Sequence, residues 1–340
     1  MRRILKPALF GILMLLPLGA QADMRSVIEH TVQDQILPGY QALHNHAQSL
    51  QLATESHCAA ADPDLRTAWG GMMDAWTRVS HLRFGPSEVD GRAFAIAFWP
   101  DPRSKTAKAL NQLMADLDPA VADPETFEEV SVAARGLYAL EFMLYDPAFA
   151  EQATPEYRCA LIRAIATGLV DSSAVILSEW RDGYADILLN PAEDGAYRSE
   201  EEVFQELFKA LSTGLQFTAE TRIGRPLGTF DRPRPRRAEL RRSERSRHQV
   251  IVALEELSEL AAGLSVDHPE IAKRFAAGFE EAILLAADPD DPVFASVSDI
   301  SGRLKVEILQ QSVERLREIL VMELGPAIGV GVGFNALDGD

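Results

Sequence analysis

The segment that most constrains this chain is Gly136-Leu137-Tyr138-Ala139-Leu140-Glu141-Phe142-Met143-Leu144-Tyr145. It has no proline, one glycine at its start and good helix formers throughout. It predicts a helix that is apolar nearly all round and therefore buried. One carboxylate, Glu141, stands in that wall. A buried carboxylate without a partner costs several kcal/mol, so a charge, a cation or strong donors must lie beside it. Tyr138 and Tyr145, three residues before and four after, share its face. Two readings follow: a binding site built on the carboxylate and two phenols, or a buried Glu salt-bridged to an arginine with the tyrosines as packing.

The rest of the chain has the same helical period. The pattern predicts helices over 24–54, 63–82, 104–117, 125–145, 155–181, 199–220, 237–263, 268–287 and 298–323. Breaks fall at Phe84-Gly85-Pro86, Trp99-Pro100, Asp118-Pro119, Asp146-Pro147, Asn190-Pro191 and Asp288-Pro289. No alternating strand pattern stands out, so the expected class is all-α, built from helical bundles. A weak internal repeat points to two related bundles in tandem. Arg83-Phe84-Gly85 follows one helix and Arg222-Ile223-Gly224-x-Pro226 another. Each is followed by a related segment, Gly136-Leu137-Tyr138-Ala139-Leu140-Glu141 and Gly278-Phe279-Glu280-Glu281-Ala282-Ile283.

Residues 1–22 read as a secretory signal peptide. Arg2, Arg3 and Lys6 form its positive end, Ala8 to Leu18 its apolar stretch and Ala20-Gln21-Ala22 its cleavage box. An exported, soluble periplasmic chain is expected, with bundles over 23–198 and 199–340. No later stretch reads as a membrane span. The formal charge of −18, more negative still without the leader, argues against nucleic acid as a partner and would concentrate cations. The only two cysteines, Cys58 and Cys159, are expected to form a disulfide in an oxidising compartment; the alternative is a pair of free thiols used as ligands.

One segment opposes the acidic trend. Arg222 to Arg247 holds ten arginines, against Asp231, Glu239 and Glu244 as acids. Prolines keep its first half extended. It reads either as an anion clamp or docking strip for an acidic partner, or as a strap whose arginines pack across the acidic body. Trp69, Trp76 and Trp99, with Phe98 and Pro100, line a pocket or simply fill core.

Several pieces together resemble the imelysin family, in matching order over essentially the whole mature chain. They are Ile36-Leu37-Pro38-Gly39-Tyr40, Ala68-Trp69…Ala75-Trp76 running into Leu82-Arg83-Phe84-Gly85-Pro86, the Gly136–Phe142 run, and the ending Gly333-Phe334-Asn335-Ala336-Leu337-Asp338-Gly339-Asp340. The resemblance implies two related helical bundles with the motif helix near a cleft between them. It also implies an exported bacterial protein, often iron-regulated and linked to iron acquisition. It implies a Gly-x-His-x-x-Glu motif that has been read as a metal site; some members are classed as metallopeptidases. Here Gly136 and Glu141 match, but Tyr138 replaces the histidine. A zinc peptidase needs His, Cys or carboxylate ligands and an open water position, and the chain has no His-Glu-x-x-His stretch to supply them. Phenolate and carboxylate oxygens suit hard cations, so Tyr138 and Glu141 are candidate ligands for iron or another hard cation. Tyr138 is equally readable as a hydrogen-bond donor in a pocket without metal. His81 and Arg83, at the end of a core helix, are further candidates. The resemblance suggests that the glycine-rich end docks and brings Asn335 and Asp338 to the body.

Three functions compete. The first is a periplasmic binding or accessory protein for a metal or a small iron-bearing ligand. The second is an interaction protein for a periplasmic or outer-membrane partner. The third, which the Tyr138 replacement disfavours, is a metallopeptidase.

Overall fold

The computed structural model describes residues 24–56 and 58–330. The leader, Asn335 and Asp338 lie outside the described residues.

The helices are α1 (Met24–His30), α2 (Leu37–Ser56), α3 (Pro63–Val79), α4 (Arg92–Ile96), α5 (Lys105–Asp116), α6 (Pro124–Glu128), α7 (Gly136–Tyr145) and α8 (Pro147–Ala150). They continue with α9 (Pro155–Glu179), α10 (Ala185–Leu189), α11 (Glu200–Gln216), α12 (Gly224–Leu227), α13 (Ser246–Leu264), α14 (Pro269–Ala286), α15 (Ile300–Ile319) and α16 (Gly325–Ala327). Among the described residues there is no strand, only an isolated bridge between Thr229 and Arg232. The all-α class is as the periodicity implies.

Four π-helical turns, Thr31–Ile36, Trp180–Tyr184, Phe217–Ile223 and Leu320–Leu324, carry helices straight through into their neighbours. Wider turns of this kind re-aim side chains without ending the helix. The Asp-Pro breaks act as starts as well as stops. Asp118, Asp123 and Asp146 each accept a backbone N–H of the following turn while proline takes the first helical position.

In the first half α2 lies against both α3 and α9, and α9 also against α7. In the second half α13 and α15 flank α14, and α11 touches α13 and α15. The halves meet where α3 packs on α13 and where α1 reaches across to α11, and one hydrophobic cluster runs through both. A polar seam marks the α3–α13 contact. Asp74 accepts from Gln249 Nε2 at 2.7 Å and from Arg245 at 2.6 Å, and Thr77 donates to Gln249 Oε1 at 2.6 Å. Cys58 and Cys159 are bonded, with Cα atoms 5.1 Å apart, so the end of α2 is tied to the start of α9.

Three expectations need correction. The helix expected over 237–263 starts only at Ser246. Residues before it form a short 3-10 turn and then turns with Leu240 and Glu244 at positive φ, because this stretch is used to satisfy buried groups of α7. The helix expected over 125–145 is broken between α6 and α7, where Gly136 takes φ 76°. The continuous helix Pro155–Leu189 is, by length and composition, long and apolar enough to cross a membrane. In the fold Leu161, Ile162, Ile165, Leu169, Ile176 and Trp180 bury that apolar character in the core.

Candidate functional site

α7 is as buried as its sequence requires: Leu137, Ala139 and Leu140 have no exposure and Glu141 has 2%. Its start is fixed by Gly136. A Cβ there would lie 2.5 Å from the carbonyl oxygens of both Ala95 and Ile96, and the φ is left-handed, so only glycine permits this approach. Its end is fixed by Arg66, which donates to the Leu144 carbonyl at 2.6 Å and so satisfies a terminal acceptor.

Glu141 finds its partners on the arginine-rich segment. Glu141 Oε1 accepts from the backbone N–H groups of Arg242 and Ser243, each at 3.1 Å, and from Ser243 Oγ at 3.0 Å. The Arg242 guanidinium does not bridge Glu141. It lies 3.5 Å over the Phe142 ring and pairs with Asp146 at 2.7 Å. Burial pushes the Glu141 carboxyl above the usual range, against the Ser243 N–H and the Arg242 charge that favour its ionised form.

Tyr138 has a different partner. Its hydroxyl donates to Glu239 Oε1, and Glu239 Oε2 accepts from Arg222 Nε at 2.9 Å. Both members of the Arg222–Glu239 pair are buried. Arg222 comes from the π-turn after α11 and lies over Phe217. Burial, and then the Glu239 charge, hold the Tyr138 phenol well above its ordinary value. Tyr138 is thus a neutral donor. The second tyrosine expected here, Tyr145, turns instead to Trp69 and Arg66, at 5.1 and 4.4 Å between ring centres and ring-to-guanidinium respectively.

Above Tyr138 and Glu141 opens a cleft of ≈ 280 Å³. Phe98 and Trp99 form one wall, with Trp99 stacked on Tyr138 at 6.1 Å. The strap forms the other, through Arg225, Arg236, Arg237, Arg241 and Arg242. Of the expected aromatic cluster only the Trp99 end belongs here; Trp69 and Trp76 are core. Asp101 also lines the cleft. Its carboxylate accepts from the N–H groups of Lys105 and Thr106 at the start of α5; burial opposes ionisation, but these donors win and hold it below the usual range.

His81 and Arg83 are not part of this cleft. His81 sits in a small gap with Thr31, Arg78 and Glu256, where burial pushes its imidazole down to about 4. Arg83 is exposed and pairs with Glu88 at 3.2 Å. The sequence reading did not single out Glu239, Ser243 or Asp101. Glu239 had a signal, as one of three acids among ten arginines. Ser243 had none, because it acts largely through its backbone.

The family's metal reading can be tested on this donor set. Tyr138 is held as a phenol and donates to a carboxylate, and one Glu141 oxygen already takes three donors. The surrounding side chains are mainly guanidinium groups. Among the described residues no group of three or more His, Cys, Asp or Glu could hold a metal ion. A hard cation needs several free anionic or carbonyl oxygens, and these residues do not fit one.

Comparison with known proteins agrees with the fold. The family model described as imelysin matches residues 36–320. The iron-regulated protein A of Synechococcus elongatus is 23% identical, over 88% of this chain and 86% of its own length. A crystal structure of an imelysin-like protein from Psychrobacter arcticum 273-4 superposes with a TM-score of 0.75 at 19% identity, covering 92% of this chain and 97% of that one. A candidate iron-regulated protein A precursor from Parabacteroides distasonis gives 0.71 at 12% identity, covering 88% and 94%. With a family model spanning most of its length and a fold shared end to end with such structures, the chain belongs to the imelysin family.

Proposed function

We propose that this chain is an exported, non-hydrolytic binding or accessory protein of iron-related function, and that the cleft over α7 holds its ligand. The observation that carries this reading is the state of the motif helix. Tyr138 and Glu141 wall a cleft, yet each is held by a protein partner, so the helix offers recognition surface and not a set of metal ligands with an open water position. The iron link is supported by the name of the Synechococcus relative. Export to the periplasm is supported by the leader-like residues 1–22 and by the Cys58–Cys159 bond. The division into 23–198 and 199–340 belongs to the same reading. It is supported by the two helix groups, although α1 packs across it.

Peptide hydrolysis measured with and without chelator tests this. The reading expects no chelator-sensitive cleavage; chelator-sensitive turnover by the pure protein would overturn it in favour of a metallopeptidase.

The second reading, docking to a periplasmic or outer-membrane partner, has one observation in its favour. At the tip of the strap Phe230 is 72% exposed, beside exposed Asp231 and Arg232. Phe230→Ser separates the two readings: it leaves small-ligand binding intact and weakens only partner capture.

A further inference from the structure

Eight of the strap's ten arginines divide into two kinds; the other two, Arg232 and Arg234, are exposed. Arg242, Arg245 and Arg247 each pair with a carboxylate of the body, Asp146, Asp74 and Asp291 respectively, and Arg222 pairs with the strap's own Glu239, which also holds Tyr138. These fasten the segment down. Arg225, Arg236, Arg237 and Arg241 line the cleft and make no ion pair among the described residues. In a chain with 51 acidic and 33 basic side chains, cationic groups left unpaired inside a concave site need a reason. Arg236 and Arg237 are exposed. Arg225 is half-buried, its guanidinium lies over Trp99 at 5.5 Å, and its Nε is buried with no hydrogen-bond partner. A buried donor left unmade is costly, so Arg225 is a group awaiting an acceptor.

The charges also oppose one another. Burial, then the Arg237 charge, lowers Arg225. Burial, then the Arg242 charge, lowers Arg241. At Arg241 the Glu141 and Asp146 charges act the other way but do not reverse the shift. Asp101 is held by the start of α5 and Glu141 by the N–H groups of the strap. Planar guanidinium forks arranged around a cavity match oxygen pairs on an anion and do so better than point charges. The volume, ≈ 280 Å³, is at the small end of ligand sites.

From this arrangement we infer that the cleft binds a compact oxyanion carrying two or more negative charges, gripped by Arg225, Arg236, Arg237 and Arg241 over the Tyr138–Trp99 floor. The inference deepens the reading of the cleft as the ligand site and rests on it. It also resolves the mismatch between the family's metal reading and these residues. Iron would enter such a site only as an anionic chelate, with the chelator's oxygens facing the arginines.

Calorimetry on the mature protein tests this with citrate, its ferric chelate, pyrophosphate, ferrous iron and zinc as separate probes. Citrate or pyrophosphate should bind, weaken as salt is raised, and bind at least tenfold more weakly to the double variant Arg236→Ala/Arg237→Ala. Both residues are exposed and unpaired, so the variant keeps its fold, which circular dichroism checks. Arg237→Lys should lie between the two, because the charge stays and the fork is lost. Oxyanion binding with exclusion of the ferric chelate would leave the inference standing and overturn the iron-related function. Binding of bare ferrous iron or zinc with no oxyanion binding would overturn the inference and leave a metal-binding function standing. Oxyanion binding that is unchanged in the double variant would overturn the cleft as its site, and no binding by any probe would overturn both readings.

Discussion

Tyr138 carries the chemical difference between this chain and the motif it resembles. Its hydroxyl closes a buried chain that runs from Tyr138 to Glu239 to Arg222. Removing that hydroxyl leaves one oxygen of a buried carboxylate without its donor. Tyr138→Phe should therefore cost about 1–3 kcal/mol, the range for a buried hydrogen bond to a charged group, measurable as a lower urea midpoint with unchanged slope. A shift near zero would mean that the Arg222–Glu239 pair is self-sufficient. His81 supplies a pH effect of known sign. Burial depresses its folded value to about 4 from an ordinary 6.5 or so. The unfolded chain therefore takes up the proton first, and stability falls as pH drops from about 6.5 towards 4. His81→Asn should flatten that part of the stability–pH curve by on the order of 2 kcal/mol; an unchanged curve would place the effect elsewhere.

The sequence and the structure agree best at the scale of whole elements. α7 was legible because seven apolar or small residues and two tyrosines around one carboxylate leave little solvent face, and all of Gly136–Tyr145 but Phe142 and Tyr145 is buried accordingly. The strap was only half legible. Its composition announced an anion clamp or a structural strap, and its arginines pair with carboxylates at some positions and line the cleft at others. What hid this is tertiary: a helical period over 237–245 yields to the buried Glu141, which draws the N–H groups of Arg242 and Ser243 out of any helix. Local propensity is weak against such a demand. Gly136 is the hinge of the element. Gly136→Ala combines a left-handed φ with contact against two carbonyl oxygens. A loss of more than about 2 kcal/mol is expected, together with loss of oxyanion binding, because α7 must shift. Retained stability would show that α4 and α7 can separate.

Across the whole molecule, three devices tie distant elements together. The disulfide ties α2 to α9, the Asp74 seam bolts α3 to α13, and the strap crosses from α12 to α13 over α7. The closed loop between Cys58 and Cys159 spans 101 positions. Replacing both cysteines with serine should lower stability by about 4–5 kcal/mol on the chain-entropy account, read in chemical denaturation of the oxidised and variant proteins. Neither cysteine lines the cleft, so ligand affinity should be retained. The sequence suggested two bundles through a weak repeat, but the seam between the helix groups was not legible, because Asp74 and Thr77 lie on α3 while Arg245 and Gln249 lie at the start of α13, far along the chain. The most direct measurement is a crystal structure of the mature protein soaked with ferric citrate, with anomalous diffraction at the iron edge. The account predicts a chelate in the cleft, its carboxylate oxygens on Arg225, Arg236, Arg237 and Arg241, with Tyr138 still bonded to Glu239. An iron ion bound directly by Tyr138 and Glu141, with the strap displaced, would contradict it.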